Sequence, residues 1–165
     1  MFFQEFTQAA PAIAEVFTRR HRATNSLCLL GTIRADGSPR ISPMEPRIVG
    51  DHLVMVGMPG TRKFVDLERD PRFCLHTGTV DPMLADGDVK LWGRVMALDD
   101  PDLHDRFLQE MFEQTGYDMR EETFDPFYVA DLTSGSSLAL VDGKRLEATI
   151  WKAGEAERVV VVDEA

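Results

Sequence analysis

The stretch SLCLLGTIRADGSPRISPMEPRIVGDHLVMVG, residues 26–57, decides the fold class. Ser26 to Arg34 is strand-like, Ala35-Asp36-Gly37-Ser38 is a turn, and Pro39 to Val49 resumes an extended pattern, which together predict a β-hairpin. Gly50-Asp51 then turns the chain into a further strand, His52 to Gly57. Upstream, Pro11 followed by Ala12, Ile13, Val16 and Phe17 predicts a lid or packing helix running to about His21, with proline in its first turn and one apolar face. Downstream, Met58-Pro59-Gly60 breaks the strand ahead of a short helix from Thr61 to about Arg69, which Asp70-Pro71 stops.

The rest of the chain continues in this manner. Arg72 to Gly78 is a strand, Thr79 to Asp86 a polar loop, and Val89 to Leu98 a long strand. Asp99-Asp100-Pro101 opens a helix in which Leu103, Phe107, Leu108, Met111 and Phe112 recur at helical spacing until Thr115-Gly116. After the acidic, irregular segment Tyr117 to Pro126 come short strands near Phe127 to Leu132, Ser137 to Val141, Leu146 to Lys152 and Arg158 to Val162. Ser134-Gly135-Ser136 reads as a turn, and Asp142-Gly143 is a strong hairpin signal. Strands in hairpin order that do not alternate with helices exclude a doubly wound α/β fold. The expectation is a mainly β protein, a Greek-key or meander barrel with peripheral helices, forming a single domain over residues 1–165. Small barrels are filled by their own side chains, so a cofactor would lie at the rim or in a crevice between two subunits.

Composition removes several function classes. Against 28 Asp and Glu stand 18 Lys and Arg, a net charge of −10, which argues against nucleic acid as a partner. No apolar run approaches the roughly 18 residues of a membrane span, and Met1-Phe2-Phe3-Gln4-Glu5 lacks a basic signal region, so the expectation is a cytoplasmic protein. Cys28 and Cys74 sit in apolar runs and read as buried reduced thiols. His21, His52, His76 and His104 show no metal-ligand spacing. The acidic set Glu110, Glu113, Asp118, Glu121, Glu122 and Asp125 reads as a solvated face.

The chemistry concentrates in Gly60-Thr61-Arg62-Lys63-Phe64-Val65-Asp66-Leu67. A glycine break, a hydroxyl and two cations at the first turn of a helix suit a phosphate, because helix N-termini carry unpaired N–H groups and partial positive charge. The competing reading is that Arg62 and Lys63 are solvated and pair with Asp66 and Glu68. A third cation, Arg40, lies in Pro39-Arg40-Ile41-Ser42-Pro43-Met44-Glu45-Pro46-Arg47, whose prolines cannot donate to a ladder. This strand is therefore at an edge, open to a ligand or a second subunit, or else Arg40 is a device that protects the edge.

Together these stretches resemble the flavin-binding split barrels related to pyridoxamine 5'-phosphate oxidase. The family pattern is a strand carrying Arg, a hairpin strand, then Gly-Ser/Thr-Arg-Lys opening a helix that ends in Asn/Asp-Pro-Arg, followed by a core strand. It is matched by Arg40, His52 to Gly57, Gly60-Thr61-Arg62-Lys63 and Asp70-Pro71-Arg72, over roughly residues 24 to 100. The resemblance implies an FMN-dependent oxidoreductase of small molecules, working as a homodimer with flavin in the subunit crevices. It implies that Thr61, Arg62 and Lys63 hold the FMN phosphate, that Arg40, Ile41, Ser42, Pro43 and Met44 run beside the ring and ribityl chain, and that Val56 and Gly57 face the ring. Trp151 and Arg158 resemble a C-terminal tryptophan and arginine of the family's cofactor region. The same barrel hosts enzymes of the deazaflavin coenzyme, and non-catalytic proteins that bind flavin or haem, and these stay open as alternatives.

There are also departures from the family. The oxidase itself has lysine where Glu45 aligns and glutamine where Asp88 aligns, and its tyrosine, arginine and serine for the substrate phosphate are not found in Leu103 to Gly116. An acid at Glu45 repels a phosphorylated substrate, so the expectation is an activity other than pyridoxamine phosphate oxidation. The cofactor ring carries the hydride chemistry, so no catalytic acid or base is required. Trp92, Phe107, Tyr117 and Trp151 are the candidates to stack on a ligand or to fill the core.

Overall fold

The computed structural model describes residues 1–78, 81, 83–121 and 124–162. Thr79, Val80 and Pro82 of the polar loop and Glu122 of the acidic set lie outside the described residues. The chain runs α1 (Phe3–Ala9), α2 (Pro11–Ala23), β1 (Cys28–Ile33), β2 (Pro39–Met44), β3 (Arg47–Val49), β4 (His52–Met55) and α3 (Arg62–Arg69). It continues β5 (Arg72–Thr77), β6 (Asp88–Ala97), α4 (Pro101–Thr115), β7 (Tyr128–Val141), β8 (Arg145–Lys152) and β9 (Arg158–Val162).

All strand pairs are antiparallel, in the order β2-β1-β5-β6-β7-β4-β3, with β8 and β9 extending from the far half of β7. β2 and β3 stand at opposite ends of that path, yet only Glu45 and Pro46 separate them. Laid flat, six interstrand spacings of about 4.8 Å would hold the two edges roughly 29 Å apart. Three Cα steps cover at most about 11 Å. The sheet is therefore rolled until its edges meet, and the result is a split barrel whose seam is the Glu45-Pro46 link. The extended pattern over Pro39 to Val49 is thus two strands rather than one. Pro46 has no N–H for a ladder, and the chain changes partner there from β1 to β4.

Two further differences from the sequence reading have physical causes. Ser134-Gly135-Ser136 is not a turn but the middle of the 14-residue β7, paired with Lys90 to Trp92 on one side and with β8 on the other. Gly135 is small because Leu91 and Ile13 pack against it, 3.1 and 3.6 Å from where a Cβ would stand. A bulge at Trp92/Gly93 sets the register, and a Cβ on Gly93 would lie 2.2 Å from the Asp131 carbonyl oxygen. The helix α1, absent from the sequence reading, is stapled at its start by the Phe2 amide donating to Glu5 Oε2 at 2.9 Å.

The barrel interior is one apolar cluster. Phe3, Phe6, Ile13 and Phe17 of α1 and α2 close it against Leu30, Leu75, Leu91, Leu132 and Trp151. A second cluster lies under α4, where Leu103, Phe107 and Leu108 meet Val49, Val54 and Val129. Cys28 is buried as the sequence suggests, and burial pushes its thiol up to about 12; Cys74 is only half-buried, in the outward row of the sheet, and its thiol is raised by burial against the charge of Lys90.

α3 is fastened to the hairpin by one buried acid. Asp66, 5% exposed, accepts from Arg40 Nε at 2.6 Å and Thr32 Oγ1 at 2.9 Å. Burial alone would raise its carboxyl pKa, but these two hydrogen bonds, with the charges of Arg40 and Arg69, hold it below the usual aspartate range. The lowered pKa means stability present above the ordinary aspartate range and lost as acid protonates the folded state.

Replacing Gly93 by Ala forces a Cβ into backbone and should cost about 3 kcal/mol or more in urea unfolding. Asp66→Asn should cost about 2 kcal/mol, less than a fully enclosed pair because Arg40 is a quarter exposed. The same variant should flatten the loss of stability expected as pH falls through the lowered Asp66 pKa, a comparison that acid titration of both proteins makes directly.

Candidate functional site

The site begins where β4 ends. Val56 and Gly57 carry the chain off the sheet, Gly60 turns it at φ +72°, and Thr61 is extended (φ −67°, ψ 148°) before α3 starts at Arg62. Thr61 does not cap the helix with its side chain, and its Oγ1 is buried with no partner. The Thr61 carbonyl accepts from the amides of Phe64 and Val65, while those of Arg62 and Lys63 have no acceptor among the described residues. The helix therefore opens on two free N–H groups and an orphaned hydroxyl, and no acid occupies its first turn.

Successive helix residues point about 100° apart, so the two cations diverge. Lys63 reaches over the seam and donates from Nζ to the Pro43 carbonyl at 2.8 Å. Burial lowers its pKa, opposed by the charge of Glu45. Arg62 is exposed and forms no ion pair among the described residues, so neither cation pairs with Asp66 or Glu68. Arg62 lies with Arg40 on the other side of α3, along an open cavity of about 640 Å³.

On the Lys63 side a cavity of about 350 Å³ sits on the barrel seam. Pro43, Met44, Glu45 and Arg47 form its floor along the seam, Val56, Gly57 and Lys63 one wall, and Phe107 and Met111 of α4 the other, with Met119 and Phe124 at its border. Gly57 is required there because a Cβ would stand 2.7 Å from Phe64 Cε2, whose ring stacks on Tyr128 at 6.0 Å between centroids.

Of the residues singled out in the sequence, this cavity gathers Pro43, Met44, Val56, Gly57 and Lys63, with Thr61 at the helix start beside it. Arg40 is engaged by Asp66, and Ile41 projects outward, 73% exposed, from the free edge of β2, next to half-buried Ser42. Two positions do not join the site. Trp151 is 1% exposed and packs edge-on against Phe6 at 5.3 Å, enclosed in the core, and Arg158 is exposed on β9 opposite Ile150. Of the other aromatic candidates, Phe107 lines the cavity, whereas Trp92 and Tyr117 do not. Arg47 and Met111 were missed. Arg47 hides behind Pro46, and Met111 repeats at the spacing of a buried stripe, which looks the same for a core and for a wall. His76 donates from Nε2 to Asp88 at 3.1 Å on the sheet, and this bond keeps Asp88 ionised at lower pH than usual despite burial.

The fit to a flavin mononucleotide is good. The orphaned Thr61 hydroxyl, the two free amides and the Lys63 ammonium suit a phosphate of roughly −1.5 to −2 charges, and the apolar walls beside Gly57 match a flat ring. Among the described residues no group of three or more His, Cys, Asp or Glu is placed to hold a metal ion, and no helix is long and apolar enough to cross a membrane.

Comparison with known proteins agrees with this fold. A pyridoxamine 5'-phosphate oxidase-related, FMN-binding protein of Nostoc punctiforme PCC 73102 is similar in fold, with a TM-score of 0.61 at 13% identity over 94% of this chain and 96% of that one. PhzG of Burkholderia lata 383, solved in complex with tetrahydrophenazine-1-carboxylic acid, has a TM-score of 0.67 at 10% identity over 99% and 98%. A haem-binding protein of Mycobacterium smegmatis has 0.56 at 18% identity over 92% of this chain and 58% of that one. No curated protein matches in sequence. The pyridoxamine 5'-phosphate oxidase family model matches residues 13–134, about three quarters of the length, and the chain belongs to that family.

Proposed function

We propose that this protein is an FMN-dependent oxidoreductase of a small organic molecule, acting as a homodimer. The observation that carries the reading is the uncapped start of α3, where a buried hydroxyl without a partner and two free amides stand next in sequence to Lys63, which lines the seam cavity. FMN, once bound, supplies two-electron hydride chemistry at its ring. The chain's own part is to bind and to exclude water: the Thr61 hydroxyl and the amides of Arg62 and Lys63 bond the phosphate, the Lys63 and Arg62 side chains offset its charge from the two sides of the helix start, and Val56, Gly57, Met44 and Phe107 form a dry wall for the ring. The family membership and the FMN-binding relative from Nostoc support flavin over the deazaflavin coenzyme.

The homodimer is supported by the outward face of the sheet. Ile41, Gly31, Cys74 and Trp92 lie in one row across β2, β1, β5 and β6, and Leu29 joins the same face two residues along β1. Ile41, Trp92 and Leu29 are all exposed apolar side chains on strands that carry apolar residues on their inner face as well. A sheet apolar on both sides calls for a second layer, and a second copy supplies one that would also close the open seam cavity.

The substrate is not pyridoxamine phosphate in this reading, because Glu45 puts a carboxylate on the cavity floor where the oxidase has an ammonium. The purified protein should carry the visible absorbance of a flavin, and mass spectrometry should identify it as FMN. Reversing Arg62 and Lys63 to Glu should weaken FMN binding by about a hundredfold, the loss of two charge-assisted contacts, with the circular dichroism unchanged. Unaltered affinity would place the phosphate elsewhere. Bound flavin that nicotinamide nucleotides cannot reduce, and that no acceptor reoxidises, would make the protein a flavin carrier instead of an enzyme. Turnover of pyridoxamine phosphate at a rate matching other substrates would overturn the role given to Glu45.

A further inference from the structure

Behind the seam lies a second cavity, of about 450 Å³, between the end of α2, β3 and the end of α4. Its polar lining is Arg22, Arg47, His21, Thr18, Asn25, Ser26 and Gln114, and no carboxylate lines it, although the chain carries 28 acids to 18 bases. Arg47 is half-buried, and its described partners are neutral: Ser26 Oγ accepts from Nη1 at 3.3 Å and Gln114 Oε1 at 3.2 Å. Arg22 stands at the mouth with no ion pair among the described residues. His21 is 6% exposed and donates from Nε2 to the Pro46 carbonyl at 2.7 Å, which leaves Nδ1 as its second polar atom. Burial lowers the His21 pKa, and Arg47 and Arg22 lower it further, against the raising effect of the Pro46 bond.

A guanidinium taken partly out of water whose hydrogen bonds go only to neutral groups is incompletely compensated, and an anion bound to it directly is favoured. The two guanidiniums offer forked donors suited to the paired oxygens of a carboxylate or phosphate, with the amides of Asn25 and Gln114 and the Ser26 hydroxyl beside them. The backbone fixes this set. The Ser26 amide donates to the His21 carbonyl at 2.7 Å, and Asn25 and Ser26 both take positive φ, 54° and 68°, to turn off α2 into the cavity wall. The lining shares no residue with the start of α3, so this is not the place where the cofactor phosphate is expected.

We propose that this cavity is an anion-binding site for the carboxylate or phosphate group of a small organic molecule, held between Arg22 and Arg47. Arg47 also lines the seam cavity, so an anion here bears on the floor of the candidate flavin site. The site stands on its own residues and does not depend on the flavin reading. The occupant is either the anionic end of a molecule whose body lies in the seam cavity or a separate effector.

The test uses the full chain without added cofactor. Inorganic phosphate and benzoate are titrated while the ring signals of His21 and the methyl signals of Met44 and Met111 are followed by NMR, with chloride at equal ionic strength as the control. Phosphate, benzoate or both should shift His21 saturably, and Arg22→Gln, a change at an exposed position, should weaken that binding about tenfold or more. Benzoate moving the Met44 and Met111 methyls together with His21 supports one molecule spanning both cavities, and His21 alone supports a separate effector. A His21 response no larger than that of chloride, or one of equal affinity in Arg22→Gln, overturns the proposal. Arg47→Lys keeps the charge but loses the fork, and retention of full affinity in that variant also counts against it.

Discussion

Two residues carry the geometry of this protein. Glu45 and Pro46 must join the outer edges of a seven-strand path, so the sheet has no choice but to curl, and every element near the join inherits its position from that closure. The seam is the natural place for a site because hydrogen bonding between strands stops there. Backbone groups and side chains that a continuous sheet would cover are left facing a cavity, with Arg47 on its floor and Lys63 leaning across to the Pro43 carbonyl.

The buried acid Asp66 makes the closure useful. By holding Arg40 and Thr32 it fixes α3 against β1 and β2, and so decides where the open end of that helix points. A polar pair in so small a barrel adds less stability than an apolar pair of the same shape would. What it secures is orientation: the N–H groups of Arg62 and Lys63 and the Thr61 hydroxyl are brought to one spot with their hydrogen-bonding capacity unspent.

Much of this was legible in the sequence. The hairpin at Ala35 to Ser38, the break at Met58 to Gly60, the stop at Asp70-Pro71 and the helix opened by Asp99-Asp100-Pro101 are local signals, and local signals survive into the structure. The split of β2 from β3 was not legible, because an extended residue looks the same whichever strand it pairs with, and only the long-range ladder separates Met44 from Arg47. Ser134 to Ser136 misled for a related reason: small polar residues favour turns, but here smallness serves packing under Ile13 and Leu91. Within the site, Thr61 to Lys63 were found from residue type and position. Arg47 and Met111 were not, since their role arises only when β3 and α4 are brought to the seam.

The long strand β7 gives the chain an order of events during synthesis. β4 and β6 each have β7 as a neighbour, so both present an unpaired edge for as long as residues 128–141 are still unmade. Their edges carry Leu53, Val54 and Met55 on one side and Leu91, Trp92 and Val95 on the other, segments that pair readily with any extended chain. A sheet lacking β7 has two open edges, and this single strand shuts both at once.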